Sequence, residues 1–295
     1  MKDSGFKLSS IKRVEAVINI ASGRVTADAG KAMEAILKAH GLKHRVRVVE
    51  PDQLDEAMHA AVAAKPDLLV VLGGDGTIRS AANLCSDGGP ILAALPGGSM
   101  NMLPGALYGA KPWQQALAEC LTSGVIRSMS SGEVGGQRFH CAAILGTPAL
   151  WQPAREAARR GDLSTAWQSA LFALRRAFSN RLRFQVATGL KHRAVALALI
   201  CPTISRAVDE SEGLEAAGLD LHDVTEVLRL AMNNLLSDWR RDPGVTAEPC
   251  KQGRAWARRK IPCLLDGEMH WLGRQVAIKY HPGAFRALAL PQDDT

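Results

Sequence analysis

The sequence predicts an α/β domain followed by a second region of mostly antiparallel β-structure. Strand and helix patterns alternate over roughly the first 125 residues, which is typical of a parallel sheet with crossover helices. Residues 67–72 are nearly all apolar, as expected for a strand covered on both faces. After Gly124 the alternation gives way to short strand patterns separated by turn residues. The length of 295 residues fits two domains of roughly 150 residues each.

The individual elements follow from hydrophobic periodicity and from turn residues. In the first part we predict strands over 14–20, 44–50, 67–72 and 91–95, and helices over 27–40, over 52–65, from Thr77 and from Pro112. In the second part we predict strands over 125–134, 138–145, 181–187, 193–200, 262–265 and 269–279, and helices over 163–178 and 224–236. The pairs Gly135-Gly136 and Asp266-Gly267 predict two tight hairpin turns.

Composition narrows the class of protein. The six cysteines have no CxxC spacing, which argues against a zinc site or a disulfide framework. No apolar run is long enough to span a membrane, and the first residues show no signal-peptide pattern, so we expect a cytoplasmic protein. Much of the net charge of +7 lies in two basic stretches, over 155–183 and over 240–260. Such stretches favour phosphate-bearing partners or anionic lipid surfaces, and ordinary solvated faces are the alternative. Aromatic residues make up only 5% of the chain, so nucleic acid is not an expected partner.

An aspartate within a glycine turn is the first candidate for chemistry. Gly73, Gly74, Asp75, Gly76 and Thr77 join the buried strand to a helix. Such a turn collects backbone N–H groups at the positive helix end, and glycine lets a phosphate approach them. Thr77 is the expected cap of the helix. Asp75 would orient the turn, bind a nucleotide hydroxyl or face a magnesium ion, whereas a plain Asp-Gly turn without a ligand is the alternative.

Two further small-residue turns follow predicted strands. The segment Gly97-Gly98-Ser99-Met100-Asn101 comes after the strand over 91–95, and Asn19-Ile20-Ala21-Ser22-Gly23-Arg24 ends the first strand. The carboxyl ends of neighbouring parallel strands form the crevice in which open α/β sheets bind ligands. Three such turns together favour a ligand that carries phosphate.

These segments resemble the motifs of the diacylglycerol kinase catalytic-domain family, which is related to sphingosine and ceramide kinases. Residues 73–77 resemble its GGDGT signature, which NAD kinases share, residues 97–101 its G(T/S)xN turn, and residues 19–23 its NPxSG segment with Ile20 in place of proline. Residues 264–268, Leu-Leu-Asp-Gly-Glu, resemble the DGE motif of the lipid kinases.

The resemblance implies a Rossmann-like nucleotide-binding domain over residues 1–127, rejoined by 284–295, and a lipid-binding β-sandwich over 128–283. It implies ATP and Mg²⁺ as cofactors and a lipid substrate reached from the inner face of a membrane, with a homodimer left open. The residues it places at the nucleotide are Asn19, Ser22, Gly23, Arg24, Gly73, Gly74, Asp75, Gly76, Thr77, Gly98, Ser99 and Asn101. It also points to Glu212 and Leu214, within Glu212-Gly213-Leu214, as metal ligands.

Phosphoryl transfer also needs a base near the acceptor hydroxyl. Glu268 is our candidate, supported by Asp266, because residues two apart in a strand share a face. The alternative for these two residues is an ordinary hairpin tip with a solvated glutamate. The sequence departs from the family at Met102, where an aspartate is common. That departure leaves open a catalytically weak nucleotide- or lipid-binding regulator, and the glycine turn alone would also permit a soluble dinucleotide kinase.

Overall fold

The computed structural model describes residues 10–146, 181–186, 189, 191–205, 207–219 and 245–291. The chain divides into two compact units, residues 1–130 with 283–295 and residues 131–282. The predicted helices over 163–178 and 224–236, and the arginines at 155, 159, 160, 175 and 176, lie outside the described residues. Among the described residues, no helix has the length and apolar character needed to cross a bilayer.

The first unit is built on a parallel sheet with the strand order β2-β1-β3-β4. Its strands are β1 (Arg13–Asn19), β2 (Lys43–Val49), β3 (Leu68–Gly73) and β4 (Ile91–Pro96). Its helices are α1 (Ala29–Ala39), α2 (Leu54–Ala63), α3 (Asp75–Cys85), α4 (Met102–Tyr108) and α5 (Trp113–Ser123). All six residues of β3 are buried, which confirms the prediction of a central strand covered on both faces.

The end of the chain also contributes to this sheet. Strand β16 (Gln275–Ala289) pairs in parallel with β4 where Ala287 lies opposite Leu92. The Tyr108 hydroxyl donates to the Leu288 carbonyl oxygen at 2.9 Å, and the Leu290 N–H donates to the Leu107 carbonyl oxygen at 3.2 Å. These contacts attach the last strand to α4 and β4.

The second unit is antiparallel among its described strands. One sheet has the order β12-β11-β10-β7-β14-β15, and β16 continues into β13, β8 and β9. The strands are β5 (Val125–Val134), β6 (Gln137–Phe139), β7 (Ala142–Gly146), β8 (Leu182–Gln185), β9 (Lys191–Ala194), β10 (Ala196–Ile200), β11 (Leu214–Leu219), β12 (Val245–Cys250), β13 (Gln252–Trp256), β14 (Ile261–Leu265) and β15 (Glu268–Leu272). One hydrophobic core draws on both sets of strands, with Phe184 and Ile278 from one and Leu199 and Leu265 from the other.

Both predicted hairpin turns are confirmed. Val134 pairs with Gln137 across Gly135-Gly136, and Leu265 pairs with Glu268 across Asp266-Gly267. All four turn residues have positive φ, which is the backbone conformation of a type I′ turn.

Three predicted strands were wrong in their continuity. The pattern over 193–200 is divided at Val195 between β9 and β10. The pattern over 269–279 is two strands, because the chain leaves β15 at Gly273 and starts β16 at Gln275. The pattern over 138–145 is also two strands, β6 and β7, interrupted at His140 and Cys141. There the backbone N–H groups donate to the Asp266 carboxylate. Hydrophobic alternation does not reveal such a side-chain acceptor.

Candidate functional site

The three predicted turns meet at the carboxyl ends of β1, β3 and β4. These strands are neighbours in register, with Ile18 beside Leu72 and Gly73 beside Pro96. The Gly97 N–H donates to the Gly73 carbonyl oxygen at 2.9 Å, and the Arg24 N–H donates to the Gly97 carbonyl oxygen at 3.0 Å. The three turns therefore form one hydrogen-bonded edge at the place where open α/β sheets bind ligands.

Asp75 lies in the first turn of α3, and both of its carboxylate oxygens bind backbone. Oδ2 accepts the Asn101 N–H at 3.0 Å, and Oδ1 accepts the Met102 N–H at 2.7 Å. Met102 is the first residue of α4, so the carboxylate serves the otherwise unsatisfied donors at the start of that helix. Asp75 thus connects the turn over 97–101 to the turn over 73–77.

Asn101 closes the turn that Asp75 holds. Its backbone is left-handed, with φ of +50°, a conformation that asparagine tolerates better than most residues. Its Oδ1 accepts the Gly98 N–H, and its Nδ2 donates to the Gly98 carbonyl oxygen, each at 2.8 Å. Two hydrogen bonds therefore close the turn, and Ser99 and Met100 are exposed at its tip.

Glycine is required here because backbones touch. A Cβ on Gly98 would lie 2.7 Å from the Gly74 Cα, and a Cβ on Gly97 would lie 2.9 Å from the Gly73 nitrogen. Neither contact leaves room for a side chain. A Cβ on Gly23 would meet nothing within 4 Å, so that glycine borders open space.

Two side chains join the turn over 19–24 to the turn over 73–77. The Gly74 N–H donates to the Ser22 Oγ at 3.1 Å, and the Asn19 Nδ2 donates to the Thr77 Oγ1 at 3.0 Å. The prediction that Thr77 caps the helix was wrong, because α3 begins at Asp75 after Gly74, and no side chain caps it there. Instead, the Thr77 hydroxyl links its own turn to the turn over 19–24. Arg24 is exposed, and Gly76 lies half-buried in the first turn of α3.

The structure changes the expected arrangement of Asp266 and Glu268. Asp266 is buried in the hairpin turn at φ of +47°, not in a strand, so the argument that both carboxylates share a strand face was wrong. Its Oδ2 accepts the His140 N–H at 2.8 Å, and its Oδ1 accepts the N–H groups of Cys141 and Ala142 at 2.8 and 3.0 Å. Asp266 ties the hairpin to the segment that precedes β7.

Glu268 starts β15, and its side chain is 47% exposed. Its Oε2 lies 3.9 Å from the Nε2 of His270, two residues along the same strand face. Sequence reasoning missed this pair. The i, i+2 spacing of Glu268 and His270 was the signal that could have found it.

The proposed metal segment forms a self-contained turn. The Asp209 Oδ1 accepts the Ser211 N–H at 2.7 Å, the Ser211 hydroxyl at 2.6 Å and the Glu212 N–H at 3.2 Å. The hydrogen bond from the Ser211 hydroxyl, then that from its backbone, lowers the pKa of Asp209. Over the described part of the chain, no group of three or more His, Cys, Asp or Glu side chains is placed to hold a metal.

Comparison with known proteins relates most of the first unit to a known family model. Residues 13–134 match the family model described as the diacylglycerol kinase catalytic domain, so the resemblance predicted from the motifs is confirmed over these residues. No curated protein sequence matched the chain.

Solved structures share the fold. A diacylglycerol kinase from Bacillus anthracis str. Sterne superposes with a TM-score of 0.69 at 14% identity, covering 96% of this chain and 98% of that one. A yeast NADH kinase complexed with NADH gives a TM-score of 0.51 at 12% identity, covering 96% of this chain and 85% of that one. These superpositions establish a mixed α/β fold, and the family match supports a kinase of the lipid or nucleotide type.

Proposed function

We propose that the protein is an ATP- and Mg²⁺-dependent lipid kinase that phosphorylates the hydroxyl of diacylglycerol or a related lipid. The observation that carries the proposal is the edge formed by the turns after β1, β3 and β4, within the segment that matches the diacylglycerol kinase catalytic domain. Its close backbone packing and its helix N-terminus suit the binding of nucleotide phosphates.

Each turn has a part in this proposal. Residues Asn19, Ser22, Gly23 and Arg24 would border the nucleotide on one side, and Gly98, Ser99 and Asn101 on the other. Asp75 would hold these turns in register through its two backbone hydrogen bonds. Its carboxylate would then contribute by positioning, which accounts for an acidic group beside a phosphate site. Met102 can stand in the family's aspartate position because its contact with Asp75 uses backbone N–H.

Glu268 is the proposed general base. Its carboxylate is exposed, and it would accept the proton of a substrate hydroxyl as the hydroxyl oxygen attacks phosphorus. Asp266 would position Glu268 by fixing the hairpin turn, since both Asp266 oxygens are engaged with backbone. In this proposal the first unit binds the nucleotide and the second unit binds the lipid.

Magnesium would neutralise phosphate charge during transfer. The described residues do not form a metal centre of their own, and Glu212 binds the Asp209 N–H through Oε2 at 3.0 Å. The requirement for Mg²⁺ is a proposal that chelation with EDTA tests directly.

A soluble dinucleotide kinase is the second candidate, because the fold is shared with a yeast NADH kinase. The Asp266-Gly267-Glu268 hairpin favours the lipid reading through its resemblance to the DGE motif. A catalytically weak regulator is the third, and Met102 is the residue that motivates it.

Acceptor-dependent ADP release distinguishes these functions. We expect release with ATP, Mg²⁺ and diacylglycerol in mixed micelles, and none with NAD⁺ or with empty micelles. Release with ATP, Mg²⁺ and NAD⁺ in the absence of lipid would establish the dinucleotide kinase. ATP binding without release on diacylglycerol, sphingosine or phosphatidylglycerol would establish the regulator.

A further inference from the structure

Four neighbouring strand segments of the second unit have one face in the core and the other in solvent. They are β9, β8, β13 and the first part of β16, in that order. Their core face consists of Leu182, Phe184, Ala194, Ala255, Val276 and Ile278. The alternating positions therefore point away from the core.

The solvent-facing positions are basic in two adjacent rows. The first row across the sheet is Arg193, Arg183, Trp256 and Gln275, and the second is Lys191, Gln185, Arg254 and Ala277. Neither row contains an acidic residue. The four basic side chains are exposed, and Trp256 is half-buried between them. We call these eight residues the basic sheet face.

The basic sheet face carries repulsion that the described residues do not neutralise. Arg183 lies directly opposite Arg193, and like charges in directly opposed positions destabilise a sheet. Within the described ranges, no acidic side chain forms an ion pair with the four basic residues. The nearby acidic groups serve elsewhere, as Glu248 lies 3.5 Å from His192 and Glu133 lies 3.5 Å from Lys279. A bound anionic surface would relieve this repulsion.

More positive charge follows at one end of the basic sheet face. The chain leaves β13 into Arg258, Arg259 and Lys260, which are all exposed. The Ala257 N–H donates to the Arg274 carbonyl oxygen at 2.8 Å, which keeps the exposed Arg274 beside this segment. The positive charge thus continues beyond the sheet.

We infer that the basic sheet face binds an anionic lipid surface. Sheet strands spaced about 4.8 Å apart present their arginines as a broad array, suited to many headgroup phosphates at once. Trp256 supplies an aromatic ring of the kind favoured at membrane interfaces. With one aromatic residue across the two rows, the face has little of the stacking surface that single-stranded nucleic acid uses. The inference rests on the proposed function, which requires the protein to meet lipid at a membrane.

Vesicle cosedimentation tests the inference. The full chain is mixed with vesicles of phosphatidylglycerol and phosphatidylcholine, and separately with pure phosphatidylcholine. The test variant combines Arg183→Gln, Arg193→Gln and Arg254→Gln. Its matched control combines Lys31→Gln, Lys38→Gln and Arg45→Gln. These three residues of the first unit are exposed, and their substitution removes the same amount of charge.

We expect wild type to bind the anionic vesicles, and less so at high salt. Each basic residue at an anionic surface contributes about fivefold to partitioning, so the test variant should lose roughly 100-fold and the control far less. Single Arg183→Gln should lose about fivefold and, by removing a like-charge pair, should keep the fold by circular dichroism.

Three results would overturn the inference. They are equal losses in the test and control variants, no binding of wild type to anionic vesicles, and a preference for duplex DNA over these vesicles at the same salt. ADP release on diacylglycerol in uncharged detergent micelles separates the two proposals. Retained release in the test variant with lost vesicle binding supports both, whereas vesicle binding as expected with no release in wild type defeats the kinase proposal alone.

Discussion

Two glycine turns of this protein, one in each unit, contain an aspartate whose carboxylate binds the backbone of a distant segment. Asp75 accepts two N–H groups at the start of α4, and Asp266 accepts three before and at the start of β7. They differ in burial. Asp266 is 3% exposed, whereas Asp75 is half-buried at an edge suited to a ligand. The comparison shows that the carboxylate of a motif can serve to connect segments of backbone. We expect its burial to determine whether its loss affects mainly stability or mainly activity.

The largest effect should come from Asp266→Ala. Two buried N–H groups and a half-buried one lose their acceptor, and we expect the free energy of unfolding to fall by about 3–5 kcal/mol. Urea unfolding followed by circular dichroism measures it. Asp266→Asn keeps one acceptor oxygen and should lose about half as much. A loss below 1 kcal/mol for the alanine variant would show that these hydrogen bonds do not stabilise the unit.

Gly98→Ala tests the close approach of the two turns in the first unit. The new Cβ would stand 2.7 Å from the Gly74 Cα, and relieving that overlap should cost about 2–3 kcal/mol and weaken ATP binding. Thermal unfolding and nucleotide titration give the two readouts. Gly105→Ala is the control, since its Cβ meets nothing within 4 Å inside α4 and should be neutral or slightly stabilising. Equal behaviour of the two variants would contradict the packing argument.

Asp75→Ala should affect activity more than stability, whereas Asp266→Ala is expected to affect stability first. Loss of the cap on α4 should cost only about 1–2 kcal/mol. Displacement of the turn over 97–101 should reduce ADP release by about 100-fold or more, because small misplacements at a reacting centre are costly. An active variant would refute the assigned role of Asp75.

The smallest effect concerns a third aspartate, at the opposite end of the parallel sheet. Asp67 Oδ2 accepts the N–H groups of Arg13 and Lys12 at 2.8 and 2.9 Å, and these hydrogen bonds lower its pKa from the ordinary 3.8. Because the folded pKa is below the unfolded one, its contribution is complete above pH 3.8 and is lost as the pH falls through the folded value.

Solvent screening keeps the contribution of Asp67 below about 1 kcal/mol. The acid limb of the unfolding temperature against pH should therefore be slightly shallower in Asp67→Asn than in wild type. Parallel acid limbs for the two proteins would exclude this contribution.

Much of the first unit could be predicted from sequence, because buried parallel strands and glycine turns are local patterns. The three turns and their common edge followed from chain order alone. The hydrogen bonds from Asn101 and Met102 to Asp75 could not, because they join residues more than twenty positions apart. Strand alternation failed at Asp266 because the turn has positive φ and breaks the period of two. The basic sheet face could not be predicted from the sequence either, because only strand register places Arg183 between Arg193 and Trp256.

The measurement that tests the central claim most directly is Mg²⁺-dependent ADP release by Glu268→Gln, with diacylglycerol in mixed micelles and ATP binding measured in parallel. Glu268 is exposed and Asp266 holds the turn, so the variant should unfold like wild type and bind ATP normally. The account predicts that lipid-dependent release falls by at least about 100-fold, as expected for loss of a general base. Release at the wild-type rate would contradict it, since Glu268 would then be a solvated residue at a hairpin tip.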